Sequence, residues 1–222
     1  MSTAALTALA GLALAPTTAP AARSCAARRA KVLERTSELL IFERAGQDAN
    51  PGEVFACSLA GNRRRDLGPD GSGLLSQGTF GLLATDGQYL VYSESTEYSS
   101  SSGSQSRDRQ VWLDVRSGRR QTLYQATTIT STSPPNGTPY QTHSSTTSSG
   151  ILFATARLGR RGRAVVGASA DAGVVKLYTQ RFRKRRRLLD SGTATSLPLP
   201  SISVHGHTAS WAKDGTRRTA SI

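Results

Sequence analysis

A weak internal repeat of paired strand signals constrains the fold of this chain more than any other feature. In each copy a small turn residue is followed, five positions later, by an aromatic residue that closes a short apolar run. The three complete copies run from Ser37 to Phe42, from Gly87 to Tyr92 and from Gly206 to Trp211. A fourth copy begins at Gly162 and has Gly167 in place of the aromatic residue. Such a repeat indicates a supersecondary unit that cannot bury its apolar face alone and stacks on its neighbours.

Alternating apolar runs separated by tight turns divide residues 31–222 into four units. The predicted strands are 32–35, 39–42, 54–59 and 63–67 in the first unit; 80–84, 89–93, 111–115 and 119–124 in the second; 151–154, 164–166, 174–178 and 185–189 in the third; and 202–204, 208–211 and 217–222 in the fourth. Three four-stranded units followed by a three-stranded one predict an all-β fold. The expected architecture is a β-propeller-like array of about four short antiparallel sheets, either closed or incomplete and open.

Two Ser/Thr-rich stretches interrupt the repeat, at residues 93–108 and 125–150. The first contains a Ser/Gly run at 99–104, and the second contains Pro-Pro-Asn-Gly at 134–137. Sequences of this kind bury too little apolar area to offset the entropy lost on ordering. We therefore expect both stretches to be flexible insertions in a single domain that spans residues 23–222.

The first 22 residues are typical of an export signal. The uncharged apolar run at 4–15 is too short to cross a bilayer, which takes about 20 residues, and Ala-Pro-Ala at 19–21 suits a signal peptidase. The segment departs from the usual export signal because no Lys or Arg precedes the apolar run. The alternative interpretation is an Ala-rich N-terminus that is buried in the folded protein. We expect cleavage near Ala21 or Ala22, which leaves a secreted or cell-wall-associated mature chain without a transmembrane segment.

The two cysteines predict one intramolecular disulfide bond. Cys57 lies in the strand pattern at 53–59, and Cys25 lies just after the predicted cleavage site. A single pair in an exported chain most simply forms a bond, which would tie the mature N-terminus to the first unit. A reactive thiol is the alternative, but neither cysteine has a Cys-x-x-Cys partner or a neighbouring His.

A net charge of +13 predicts attraction to polyanions. The strongest basic clusters lie at equivalent places in the repeat, at or just after hairpin turns, so stacked units would bring them to one edge as a binding rim. The predicted contact residues are Arg63, Arg64, Arg119, Arg120, Arg183, Lys184, Arg185, Arg186 and Arg187. The alternative is that these residues form a solvated surface with no binding role. A GC-rich genome produces an arginine-rich composition without any selection for function.

The runs at 88–92 and 111–119 resemble blades of the secreted WD40-like and TolB-like β-propeller proteins of high-GC actinobacteria. The shared pattern is a strand followed by Asp114, three further residues, Gly118 and a basic residue. The resemblance covers residues 31–222, although the full WD40 signature, a Gly-His early and a Trp-Asp late in each blade, is absent. It implies a binding or scaffolding role and carries over no catalytic residue.

No catalytic or metal-binding pattern stands out in the sequence. His205 and His207 flank Gly206 without a third ligand nearby, and no Gly-x-Ser-x-Gly motif is present. The loop Gly-Arg-Arg-Gly at 159–162 is not followed by a helix pattern that would bind phosphate. The acidic residues are few and lie mostly beside turns, so the sequence pairs no two carboxylates.

These observations predict an extracytoplasmic, non-catalytic binding or scaffold protein that uses no cofactor. Its expected partner is an anionic cell-wall polymer or another exported protein. Recognition of specific nucleic acids is not expected, because Phe182 is the single aromatic residue in the main basic cluster. The alternative is a carbohydrate-active enzyme, a glycosidase or lyase, with acidic residues in a propeller cleft.

Overall fold

The computed structural model describes Cys25 and residues 30–46, 52–72, 76–133 and 141–222. These residues form sixteen strands and two short 3₁₀ turns, with no α-helix among them. The prediction of an all-β fold is therefore confirmed. The predicted signal segment, residues 1–22, lies outside the described residues.

The first sheet is a nine-stranded antiparallel meander in which the strands follow chain order. Its strands are β1 (Lys31–Arg35), β2 (Leu39–Arg44), β3 (Gly52–Ser58), β4 (Arg63–Ser72), β5 (Ser76–Asp86), β6 (Tyr89–Ser100), β7 (Gly103–Asp114), β8 (Arg120–Ser133) and β9 (Gln141–Gly150). This sheet contains the first predicted unit as β1–β4 and the second as β5–β8, with β9 as an additional edge strand.

The third and fourth units form separate antiparallel sheets, and none of the three sheets closes on itself. The third unit consists of β10 (Thr155–Leu158), β11 (Ala164–Asp171), β12 (Val174–Arg181) and β13 (Arg187–Thr193), and the fourth of β14 (Ser203–His205), β15 (Thr208–Lys213) and β16 (Thr216–Ser221). The strands β5, β10 and β14 begin successive units, and β10 contacts both of the others.

Consecutive units pack on each other through apolar clusters. Between the first two units, Leu39 and Ile41 of β2 share a cluster with Leu90 of β6. The next residue, Val91, points to the opposite face, because side chains alternate along a strand, and it packs with Phe153 in the following cluster. Each middle unit therefore buries both of its faces.

The third unit repeats this arrangement. Val165 of β11 faces the second unit, and the adjacent Val166 faces the fourth, where it shares a cluster with Trp211 of β15. On the outer face of the first unit, Phe42 packs near Cys25 and Cys57, whose Cα atoms lie 5.7 Å apart. The structure thus brings the two cysteines to disulfide distance, as the sequence predicts.

The segment 151–154 is not the strand that the sequence predicts. It is irregular, and the third unit begins instead with β10 at Thr155. The reason is a side chain that takes the place of a neighbouring strand. The Gln110 amide donates to the Phe153 carbonyl at 2.8 Å and accepts from the Phe153 N–H at 2.7 Å, with both groups buried.

The two Ser/Thr-rich stretches form strands, whereas the sequence indicates flexible insertions. Residues 93–108 continue β6 and β7 on either side of a turn at 101–102, and β8 and β9 occupy most of 125–150. Residues 134–140 lie outside the described part of the chain. Pairing with a neighbouring strand satisfies the backbone, and hydroxyl contacts such as Thr128 Oγ1 to Thr146 Oγ1 at 2.9 Å add to the ladder.

Candidate anion-binding groove

A groove lined by basic residues runs between the third and fourth units, beside the hairpin that joins β12 to β13. It consists of two adjoining cavities of about 370 and 210 Å³ that share Arg181 and Ile222. The larger cavity is lined by Thr179, Arg181, Lys184, Arg185, Arg187, Ser221 and Ile222, and the smaller by Gly159, Arg160, Arg163, Ala164, Arg181, Gly206, His207 and Ile222. We call this feature the basic groove, and its five arginines and Lys184 the groove cations.

The β12–β13 hairpin, which carries four of the six groove cations, is held in place at its tip. The Lys184 N–H closes the turn by donating to the Arg181 carbonyl at 2.9 Å. Phe182 packs edge-on against Trp112 of the second unit, with ring centroids 5.0 Å apart. The N–H of Arg183 also donates to the Gln121 side chain at 2.6 Å. These contacts fix the direction in which the hairpin presents its cations.

The opposite wall of the groove begins at the 3₁₀ turn Arg160–Gly162. The Arg160 N–H donates to the Gly206 carbonyl of the fourth unit at 2.7 Å, and the Gly162 N–H donates to Asp86 of the second unit at 2.7 Å. Gly162 has a φ of +59° and lies against Tyr89, where a Cβ would be 2.1 Å from the ring. This turn needs glycine there, and it positions Arg160 beside His207.

The described lining of the basic groove contains no acidic side chain, and Asp86 contacts only the backbone of the neighbouring turn, at Gly162. All six groove cations belong to exposed residues, and none forms an ion pair within the described ranges. Of the described residues that line either cavity, none is Asp or Glu. Arg187 donates to the Ser221 carbonyl at 2.7 Å, which leaves its positive charge in place. Crowded cations that form no ion pair create a positive potential that attracts anionic ligands.

The other predicted contact residues lie along one edge, but their side chains face different surroundings. Arg63 donates to the Arg116 carbonyl at 3.4 Å, so the β3–β4 turn lies beside the β7–β8 turn. Arg120 donates to the Asp66 carbonyl across the same junction. Arg64 lies on the opposite face of β4, with its guanidinium 4.7 Å from the centre of the Phe55 ring.

The five predicted cations at 183–187 also divide between the groove and the tip. Lys184, Arg185 and Arg187 line the basic groove. Arg183 is exposed at the tip, and Arg186 is half-buried, with one guanidinium nitrogen that has no hydrogen-bond partner among the described residues. Arg119 is exposed in the β7–β8 turn. Whether these residues contact a polyanion stays a prediction.

Sequence reasoning missed Arg160, Arg163, Arg181 and the position of His207. Pairing of β11 with β12 inside the third unit sets Ala164 opposite Arg181 and so brings Arg160 and Arg163 close to Arg181. Packing against the fourth unit then adds His207. The available signal was the predicted strand pairing within the third unit, combined with the basic Gly-Arg-Arg-Gly loop that joins two of its strands. That loop forms a single 3₁₀ turn, and the next element of the described chain is the strand β11.

The remaining cavities offer little for acid–base chemistry. The largest, about 740 Å³, lies beside the exposed Leu152 and contains Asp171 as its one acidic side chain. Another, of about 270 Å³, contains Glu94, which is buried and forms an ion pair with Arg109. Within the described ranges, no group of three His, Cys, Asp or Glu side chains could hold a metal ion.

Comparison with known proteins gives no independent assignment. Neither a protein-family model nor a curated protein matches the chain. The described residues also include no helix with the length and apolarity that a bilayer crossing requires.

Proposed function

We propose that the mature protein is an exported, non-catalytic binding module that holds an anionic polymer in the basic groove. The observation that carries this proposal is a concave site whose described lining has six cations that form no ion pair and has no acidic side chain. An open, β-propeller-like stack of four units is the scaffold that positions the two walls of the site.

The arrangement favours an extended anion over a single small ion. The groove cations surround two adjoining cavities, so a polymer with repeated charged groups could place one group in each. Arginine presents a planar fork of donors that matches phosphate, sulfate and carboxylate oxygens. Binding of a polyanion also releases its condensed counterions, which adds a favourable entropy that a monovalent ligand lacks.

The cell envelope is the compartment that fits this ligand class. The predicted export signal takes the chain out of the cytoplasm, and a cysteine pair at disulfide distance suits an oxidising environment. Phosphate- or carboxylate-rich wall polymers are the anionic chains that a protein meets there. We therefore propose a cell-wall polymer as the physiological ligand.

The alternative of a glycosidase or lyase lacks structural support. Glycoside hydrolysis by the usual mechanism needs two carboxyl groups about 5–10 Å apart across one cleft. The five main cavities of the described chain are lined by at most one carboxylate each. The binding role therefore explains the site with fewer assumptions.

Neutralising the groove should weaken polyanion binding more than an equal change of net charge elsewhere. The variant R160Q/R163Q/R185Q removes three exposed groove cations. Its matched control, R35Q/R44Q/R107Q, removes three exposed arginines from the first two units, so both lower the formal charge from +13 to about +10. We expect the groove variant to elute from a heparin column at lower salt than the control. Its slope of log affinity against log salt should fall by somewhat under one unit per lost contact.

A third variant tests the contacts predicted at the other hairpin turns. R63Q/R64Q/R119Q removes three positive charges, as the other two variants do. We expect it to elute at the same salt concentration as R35Q/R44Q/R107Q. Circular dichroism should show all three variants folded, because exposed charges contribute little to stability. Equal elution of the groove variant and the control would mean that binding follows net charge alone and would refute the proposed site.

A further inference from the structure

The strand β9 leaves a long, unprotected edge on the nine-stranded sheet. It has ten residues and pairs on one side with β8. Residues 142–150 are all exposed, so nothing in the described part of the chain covers them. Its sequence, Gln-Thr-His-Ser-Ser-Thr-Thr-Ser-Ser-Gly, contains no Asp, Glu, Lys, Arg or Pro. Its outward N–H and C=O groups are available to another strand.

The other edge strands of the described chain are protected in the usual ways. Natural sheets limit edge pairing by short strands and by charged residues. The strands β10 and β14 have four and three residues, respectively. The strands β1, β13 and β16 carry Lys31, Arg187 and Arg217, each with at least one further charged residue. The contrast makes β9 the natural pairing edge.

We propose that β9 pairs antiparallel with β9 of a second copy of the chain, forming a closed two-fold dimer. A two-fold interface uses the same surface on both copies, so it ends after one pairing and does not propagate into a fibre. The two nine-stranded sheets become one continuous sheet. A partner of different sequence would need its own free edge, whereas a second copy always brings one.

The chemistry of the strand favours a second copy in two respects. The chain carries a net charge of +13, which repels another copy over most surfaces, and β9 is a charge-free strip where two copies can approach. The Thr128 hydroxyl already bonds to that of Thr146 across the β8–β9 pair. Ser and Thr side chains facing each other across β9–β9 would extend the same hydroxyl ladder.

The symmetry restricts which residues meet. A two-fold axis perpendicular to the sheet passes between the two copies of one residue, which pair with each other, so side chains on one face meet side chains of that same face. With the axis at position 145, 146 or 147, at least two of the positions 144, 146 and 148 face one another. Charges introduced at these three positions therefore meet like charges in a homodimer.

Charge reversal tests this pairing directly. Sedimentation of the native mature chain over a concentration series should show a dimer. We expect S144K/T146K/S148K alone, and S144E/T146E/S148E alone, to dissociate at least about tenfold more readily, since like charges directly opposite each other destabilise a strand pair. An equimolar mixture of the two variants should restore the dimer as a mixed pair.

The matched control places three lysines on exposed positions away from the edge, at the β6–β7 hairpin tip. We expect S99K/S101K/S102K to remain dimeric, and circular dichroism should show every variant folded. A monomeric native chain, including one in which another segment of the same chain covers β9, would overturn the proposal. So would dimers that survive both triple substitutions, or a control that dissociates as readily.

Discussion

At the scale of single residues, Tyr92 carries an unusual hydroxyl group. The side chain is fully buried between the first two units, and its hydroxyl has no hydrogen-bond partner in the described chain. Burial raises the pKa of Tyr92 to about 12, since a tyrosinate would have to exist there without water, and Arg120 opposes the rise. The folded state therefore holds this proton more tightly than the unfolded chain.

Tyr92→Phe should remove a pH dependence without weakening the fold at neutral pH. In the native protein, the raised pKa of Tyr92 contributes roughly 2–3 kcal/mol to the free energy of unfolding. This contribution is fully present below pH 10 and is lost as the pH rises from 10 through about 12. The variant also loses an unpaired buried hydroxyl, so its stability at pH 7 should be unchanged or about 1 kcal/mol higher. Urea unfolding at pH 7, 10 and 11 measures both effects.

The matched control for this residue is Tyr98→Phe. Tyr98 lies on the same strand with 58% of its surface exposed, and its variant should follow the native pH dependence. If Tyr92→Phe lost stability in parallel with the native protein between pH 10 and 11, deprotonation of Tyr92 would not be the cause.

At the scale of elements, the cysteine pair joins the segment before β1 to β3. Cys57 is fully buried and Cys25 is 32 positions away along the chain. Closing a loop of this length stabilises a fold by roughly 3–4 kcal/mol in the chain-entropy model. We expect non-reduced peptide mapping to show the linked pair, and reductant to lower the urea midpoint of the native protein.

Cys25→Ala separates the bond from other effects of reductant. This variant should unfold at the midpoint of the reduced native protein, and reductant should not change it further. Two free thiols in protein purified from outside the cell, or a native midpoint that does not respond to reductant, would contradict the predicted bond.

The elements that the sequence predicted well are those with local signals. The pattern around Leu39–Arg44 alternates between two buried faces, and β2 forms there. The strand β9 carries no apolar signal, because its residues are exposed and its order depends on backbone pairing with β8. The prediction of a strand at 151–154 was wrong for a related reason. The backbone of Phe153 bonds to the buried side chain of Gln110 in place of a neighbouring strand, and Gln110 lies 43 positions away along the chain.

The candidate site was predictable only in part. The run of cations at 183–187 is visible in the sequence, and three of its members line the basic groove. Arg160 and Arg163 join them because β11 pairs with β12, and the fourth unit supplies the rest of the lining, including His207 and Ile222, by packing on the third. Stacking geometry depends on side-chain packing between distant segments, which a pattern of turns and strands does not specify.

At the scale of the whole molecule, the described units form an open series. One apolar cluster joins the first unit to the second, another joins the second to the third, and a third joins the third to the fourth. None of the clusters in the described ranges joins the fourth unit to the first. In such a series, stability is approximately a sum of unit and nearest-neighbour terms, so damage at one end should stay local.

The junction of the last two units depends on Trp211. Its side chain is 4% exposed, and its indole N–H donates to Asp190 at 2.8 Å. Partial burial acts to raise the pKa of Asp190, but the hydrogen bonds from Trp211 and from the Ser191 N–H outweigh it and hold the pKa below its usual value. Removing the indole takes away both packing and this hydrogen bond.

Trp211→Ala should therefore open one end of the molecule and leave the other intact. Truncating a buried Trp costs about 3–5 kcal/mol. We expect amide hydrogen exchange to speed up in β11, β12 and β14–β16, whereas β2 and β3 keep their native protection. Ile41→Ala, in the cluster that joins the first two units, is the mirror-image control and should speed up exchange in β2 and β3 while β15 stays protected. If either variant lost protection evenly along the whole chain, the units would unfold as one cooperative block, and the open series of nearest-neighbour junctions would be the wrong description of this fold.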